Sequence, residues 1–318
     1  MKDKEIDENE IIRIFSLHIR EILNRADLDF ARLQEIRLRA LAPLMIRYDG
    51  EEFFLNESGE RQKSPRGAWQ VTEKEIRETM EFVGKYSLYA YEDELKQGYL
   101  TLRGGHRIGI AGKVVLNQDK VRSIRYISCL NIRLSHQVLG CADSVLPWVY
   151  DETGVRHTLI ISPPRCGKTT LLRDLVRQIS NGKGKLPGYT VGVVDERSEI
   201  CGCYLGVPSN DVGIRTDVMD GCPKAEGMMM MVRSMAPEVI AVDEIGKYED
   251  IHAIETALFC GCRLIATVHG SSLEDIHSKP LFQRLMEEQV FERYLILYNG
   301  ERTGMIRKIL DGKGRELC

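Results

Sequence analysis

Residues 162–170 read S-P-P-R-C-G-K-T-T, placed between the apolar run at 157–161 and a helical pattern carried by Leu171, Leu172, Leu175 and Val176. A strand, a tight loop and a helix start in that order predict a phosphate-binding loop. Its backbone N–H groups gather at a helix N-terminus, where the helix dipole already favours an anion. The expected binding residues are Ser162, Pro163, Pro164, Arg165, Cys166, Gly167, Lys168, Thr169 and Thr170. Lys168 has the reach for the β- and γ-phosphates of ATP, and the Thr169 hydroxyl suits Mg²⁺. Ser162 stands where the G-x-x-x-x-G-K-[ST] pattern has its first glycine. Glycine serves there to permit an unusual backbone conformation, and serine is a mild replacement. Cys166, inside the loop, predicts a site sensitive to alkylation.

A second motif follows at workable distance. Residues 238–244, E-V-I-A-V-D-E, read as a buried strand ending in two carboxylates. Asp243 is the expected Mg²⁺ partner and Glu244 the group that orients or polarises an attacking water. The run 193–199, V-V-D-E-R-S-E, also ends a strand in acid. Adjacent parallel strands deliver their C-terminal ends to one crevice. Asp195 and Glu196 are therefore candidates for a further metal-facing or water-positioning carboxylate, set against a structural ion pair with Arg197. The next apolar strand ends at Thr267 and His269, where a side chain can sense the γ-phosphate; a purely structural histidine is the alternative.

From residue 139 onward strands and helices alternate: strands at 157–161, 190–194, 239–242 and 263–268, helices at 168–179, 224–234 and 250–259. That pattern predicts a mostly parallel α/β sheet with helices on both faces. A hairpin at 294–310 closes the chain, its loop near 299–302. Residues 1–138 read as a smaller α+β domain. A first amphipathic helix runs through Ile11, Phe15, Ile19, Ile22 and Leu23, and strands follow at 36–39 and 44–48 with a turn at Asp49 and Gly50. Thr72 and Glu75 form a capping box that opens a helix to about 89. Alternating residues at 97–135 are punctuated by Gly104, Gly105, Gly109 and Gly112.

The chain has 318 residues, 43% of them hydrophobic and 29% charged, with a net charge of −3. Those values describe an ordinary soluble protein, and the net charge gives the molecule as a whole no marked pull on polyanions. No run approaches the length of a membrane span, and the acidic start is unlike a signal peptide, so the expectation is a cytoplasmic protein without direct membrane insertion. The nine cysteines then read as reduced thiols. Cys201 and Cys203, and Cys260 and Cys262, are C-x-C pairs without a histidine pair at ligand spacing, which favours small buried residues over zinc. Residues 96–136 hold eight Lys or Arg and one acid, Asp119. Three readings stay open for this basic stretch: a solvated face, a nucleic-acid surface, or arginines supplied to a neighbouring subunit's phosphate. Only Tyr99 and Tyr126 interleave with the charges, so a base-stacking platform has little support and nucleic acid is not an expected partner.

The stretches QGYLTLRGGHRIGIAGKVV, SCLNIRLSHQVLGCAD, TLIISPPRCGKTTLLRDL, VVDERSEI, GIRTDVMDGCPKAEGMMMMVRSMAPEVIAVDEIG and ATVHG together resemble the stage III sporulation protein AA family of endospore-forming bacteria. That family is similar to the ATPases of type II and type IV secretion systems. The resemblance spans the chain from about residue 35 to its end. It implies a RecA-like P-loop NTPase domain and Mg²⁺-dependent ATP hydrolysis, with Lys168, Glu244, Glu196 and His269 as catalytic residues and Thr169 and Asp243 at the metal. The acidic box of secretion ATPases falls on 195–199 and their histidine box on His269. Arginines of the N-terminal domain, here Arg133, Arg125 and Arg107, are implied to approach a neighbour's nucleotide. A homo-oligomeric ring of six is implied, docked to membrane proteins of a secretion-like channel at the cytoplasmic face of the mother-cell membrane. Two other classes remain: a nucleic-acid-stimulated motor and a nucleotide-gated scaffold with little turnover.

Overall fold

Neighbouring residues of the phosphate-loop strand Thr158–Ser162 face opposite layers, Ile160 into one core and Leu159 and Ile161 into another. A strand buried on both sides carries a continuous apolar run, which is why Leu159, Ile160 and Ile161 follow one another without alternation. The computed structural model describes residues 8–84, 95–96, 98–117, 120–300 and 303–318. Two units result, one ending at His136 and the other starting at Gln137.

The first unit is an antiparallel sheet in the order Arg61–Gln62, Glu51–Leu55, Met45–Tyr48, Leu33–Arg39, Lys120–Arg133, Arg107–Asn117 and Tyr99–Thr101. Asp49 and Gly50 turn with φ of 52° and 79°, the pair of left-handed residues a tight hairpin turn needs. In the long hairpin 107–133 a Cβ on Gly112 would stand 2.8 Å from the carbonyl oxygens of Arg125 and Tyr126, where the register shifts. The glycine therefore admits a bulge. Thr72 and Glu75 form the expected capping box on the helix Glu73–Val83; its expected continuation to 89 lies outside the described residues.

One expectation fails here. The single amphipathic helix is two, Glu8–Ile12 and Leu17–Arg25. The chain breaks at buried Ser16, whose N–H donates to Thr79 Oγ1 at 3.1 Å. A tertiary hydrogen bond thus ends a helix that the apolar spacing alone would have continued.

The second unit carries a sheet in the order Thr216–Asp220, Val191–Asp195, Val239–Val242, Arg263–His269, Thr158–Ser162, Arg293–Leu297 and Ile306–Asp311. All neighbours are parallel except the last pair. On one face the helix Lys168–Asn181 packs Leu171, Leu172, Leu175 and Ile179 against Ile160, Val193, Ala241 and Ile265. On the other, the helices Lys224–Ser234 and Tyr248–Phe259 bring Met228, Met231, Ile251 and Ile254 against Leu159, Ile161, Val242 and Leu264. Within the methionine run, Met228 and Met231 are core and Met230 is exposed. Elements not foreseen include the edge strand Thr216–Asp220, the short pair Tyr150–Asp151 and Gly154–Val155, and the helices Leu273–His277 and Gln283–Glu287.

Candidate nucleotide site

The loop between Ser162 and Lys168 owes its shape to two backbone positions. Arg165 has φ of 64° and Gly167, which opens the helix Lys168–Asn181, has φ of 87°. A Cβ on Gly167 would lie 2.3 Å from Thr303 Cγ2 and 2.5 Å from the Gly304 nitrogen. The Gly304 N–H donates to the Cys166 carbonyl at 2.9 Å. Gly167 is thus fixed both by conformation and by the close approach of 303–304. Ser162 lies outside the positive-φ positions and its hydroxyl donates to the Pro163 carbonyl at 2.8 Å. Glycine's freedom is not needed there, which explains why serine serves. The first-turn N–H groups of Lys168, Thr169 and Thr170 have no intrahelical acceptor, as in any helix, and find none elsewhere among the described residues. Cys166 is only 4% exposed, with Sγ 3.6 Å from the Pro164 carbonyl. Burial of the thiol corrects the expectation of an alkylation-sensitive loop.

The two carboxylates of the second motif converge on this loop across an intervening strand. Arg263–His269 lies between Val239–Val242 and Thr158–Ser162, so Asp243 is not on the strand next to the loop. Lys168, 6% exposed, places Nζ 2.8 Å from Glu244 Oε1 and 3.5 Å from Asp243 Oδ1. Thr169 Oγ1 donates to Asp243 Oδ2 at 2.5 Å. Thr267, fully buried in the intervening strand, donates to Asp243 Oδ1 and accepts the Glu244 N–H at 2.9 Å. Glu244 itself has φ of 55°, a sparsely populated region for a residue with a side chain. The strand 263–269 holds it there, because the Ile245 N–H also donates to the Thr267 carbonyl at 2.9 Å. His269 Nε2 lies 2.9 Å from Glu244 Oε1, and Arg197 Nη1 lies 3.3 Å from Glu244 Oε2. Burial pushes the Glu244 carboxyl up, but Lys168, with His269 and Arg197, outweighs it and holds the group below the ordinary carboxylate range.

The acidic run 195–199 behaves differently from its expected role. Asp195 is buried and accepts the N–H groups of Glu199, Ile200 and Cys201 at 2.8, 3.0 and 2.7 Å. It closes its own loop instead of facing a metal. Burial, opposed by those N–H donors, raises it to about 6. Glu196 pairs with Lys224, and its Oε1 is 3.8 Å from Lys247 Nζ. Burial raises the Glu196 carboxyl and the two lysines and Arg197 lower it, with a net shift down. Three N–H groups occupy Asp195, and Glu196, like Glu244, rests against basic side chains. Arg197 goes to Glu244, not into the expected ion pair with the acids beside it. Cys201 and Cys203 are core residues of one face and Cys262 of the other.

The three arginines of the first unit share its long hairpin. Arg107 and Arg133 are direct cross-strand partners, and Arg133 is also the register partner of Glu35. Arg125 stands opposite Lys113 and is exposed, and Arg107 lies 4.0 Å over the Tyr99 ring.

Sequence reasoning missed Arg197 as a partner of Glu244, the left-handed Glu244, and residues 303–304 against the loop. Only the glycine at 304 gave a local signal. Hard oxygen donors on Thr169 and Asp243, beside an orphaned row of N–H groups and a buried lysine, fit a magnesium nucleotide.

Six parallel strands with the phosphate loop at the end of an interior one, and the paired acids two strands away, define a RecA-like P-loop fold. Two solved structures share it. One is the pilus retraction motor PilT with bound ADP, with a TM-score of 0.57 and 17% identity, covering 88% of this chain and 78% of that one. The other is the Legionella pneumophila ATPase DotB, with a TM-score of 0.54 and 13% identity, covering 93% and 77%. The chain belongs to the family "Sporulation stage III, protein AA", whose model matches residues 5–317. It is 41% identical over 310 residues to Stage III sporulation protein AA of Bacillus subtilis (strain 168), covering 97% of each chain. No described helix is long and apolar enough to cross a membrane.

Proposed function

We propose that this chain is a Mg²⁺-dependent ATPase, the ring-forming motor of a secretion-like channel complex in endospore formation. The observation that carries the reading is the pairing of Lys168 with Glu244 and of Thr169 with Asp243. Thr169 and Asp243 would hold Mg²⁺, which supplies charge neutralisation between the β- and γ-phosphates. Lys168 and the N–H groups at the helix start bind the phosphates. Glu244, released from Lys168, accepts a proton from or orients the attacking water. His269 shares an oxygen of Glu244 and registers its release.

Turnover in a ring places an arginine of one subunit at the site of the next, and Arg133, Arg125 and Arg107 are the candidates. Such a residue contributes about 10³ to 10⁵ in rate where it acts. Six copies and docking to membrane proteins of the channel, at the cytoplasmic face of the mother-cell membrane, complete the proposal. Support comes from the family and from the fold shared with PilT and DotB, one with ADP bound and the other described as an ATPase.

The test is steady-state ATP hydrolysis with Mg²⁺ over a range of protein concentrations, for the wild type, Lys168→Ala and Arg133→Ala. Specific activity that rises with concentration and disappears in both variants supports the shared-site ring. Activity indifferent to dilution and to Arg133→Ala leaves a monomeric ATPase. Bound ATP without turnover points to a nucleotide-gated scaffold.

A further inference from the structure

We infer that Arg197 is a γ-phosphate ligand supplied to each site by its own chain, held in reserve by Glu244. The inference rests on the ATP reading of the site. Three basic groups surround one carboxylate: Lys168 and His269 on Oε1 of Glu244, Arg197 on Oε2. With 63% of its side chain exposed, Arg197 gains little stability from this pair, since solvent-exposed ion pairs contribute little to folding.

The backbone beneath Arg197 is nevertheless held firmly on either side. Asp195 accepts three N–H groups of residues 199–201. Glu196 is paired with Lys224. Ser198, with φ of 51°, donates its hydroxyl to Asp220. Of these four consecutive residues, Arg197 is the one that turns towards Glu244. A loop anchored in this way aims one flexible cation at the carboxylate that also holds the phosphate-loop lysine.

Charge explains the arrangement. Glu244 cannot act on water while Lys168 and Arg197 neutralise it. A γ-phosphate offers three oxygens and more negative charge than one carboxylate, and the guanidinium fork matches phosphate geometry better than an ammonium does. Arrival of the γ-phosphate draws both cations from Glu244 and frees the base in the same event. ADP lacks that group and leaves Arg197 on Glu244. The arginine therefore separates ATP from ADP, a role independent of any arginine donated by a neighbouring subunit.

The test is equilibrium binding of Mg²⁺–ADP and of a non-hydrolysable Mg²⁺–ATP analogue to the full chain, for the wild type, Arg197→Ala and Arg197→Lys. Removing a charge-assisted contact predicts that Arg197→Ala binds the analogue about tenfold or more weakly, with ADP affinity unchanged and Arg197→Lys intermediate. Equal weakening of both ligands would overturn the inference in favour of a loop-shaping role. No change for either ligand would make Arg197 a surface counter-ion and overturn it as well. A wild type that binds neither nucleotide removes the ATP reading itself, so the two failures are told apart by different samples.

Discussion

Lys168 Nζ sits 2.8 Å from Glu244 Oε1, so the phosphate-loop cation and the strand-end base neutralise each other. Each becomes available only when the other finds a partner. A nucleotide phosphate provides that exchange, and binding and activation become one step. The lysine is buried, which makes its replacement informative.

Lys168→Ala is expected to lower Mg²⁺–ATP affinity by about 100-fold, two charge-assisted contacts at about 1.5 kcal/mol each. Titration with a fluorescent ATP analogue measures it. In the same variant the Glu244 carboxyl rises, because a principal group holding it down is gone. Unaltered affinity would remove Lys168 from the phosphate site.

Thr267→Val keeps the shape of a fully buried side chain but deletes the hydroxyl that serves both Asp243 and the Glu244 N–H. An unpaired buried group costs about 1–3 kcal/mol, felt here where the metal carboxylate and the base are set. Hydrolysis is expected to fall about tenfold or more while ADP affinity changes little, and Thr267→Ser restores it. Wild-type turnover in the valine variant would contradict this.

Gly167→Ala adds a methyl into a position with φ of 87° and 2.3 Å from Thr303 Cγ2. The left-handed backbone alone costs roughly 1–2 kcal/mol, and the clash must displace residues 303–304 or the loop. A lower melting temperature together with lost nucleotide binding is expected. A stable variant that still binds would show that the loop does not need this glycine.

Acid should weaken the first unit through His106. Its Nδ1 accepts the Ser135 N–H at 2.9 Å, and burial, with the charge of His136, brings it down from 6.5 to about 4. Between those values the unfolded chain holds a proton that the folded chain refuses. The stabilisation is complete above the unfolded value and is lost as pH falls through the folded one, on the order of 3 kcal/mol over the whole range. His106→Asn keeps an acceptor without this titration. Melting temperatures at pH 7 and pH 4.5 should therefore differ less in the variant than in the wild type; an equal drop would contradict the assignment.

Local chemistry made part of this site readable in the sequence. The strand, loop and helix around Lys168, the acids at 243–244 and the capping box at Thr72 and Glu75 are each written in a few consecutive residues. What was misjudged depends on distant partners. Ser16 breaks the first helix because Thr79 accepts its N–H. Asp195 looked like a site residue because it ends a strand, but the backbone N–H groups of its own loop claim it. The strand Thr216–Asp220 sits at the sheet edge with a half-polar sequence, so no apolar run announces it. Arg197 read only as a partner for the acids beside it, since only the fold brings it to Glu244.

Single-turnover hydrolysis of Mg²⁺–ATP by the wild type and Glu244→Gln, with ATP binding followed in the same samples, tests the central claim most directly. The account predicts hydrolysis by the wild type, and a glutamine variant that binds ATP but leaves it intact. Hydrolysis at the wild-type rate by Glu244→Gln, or ATP bound and never cleaved by the wild type across all protein concentrations, would contradict it.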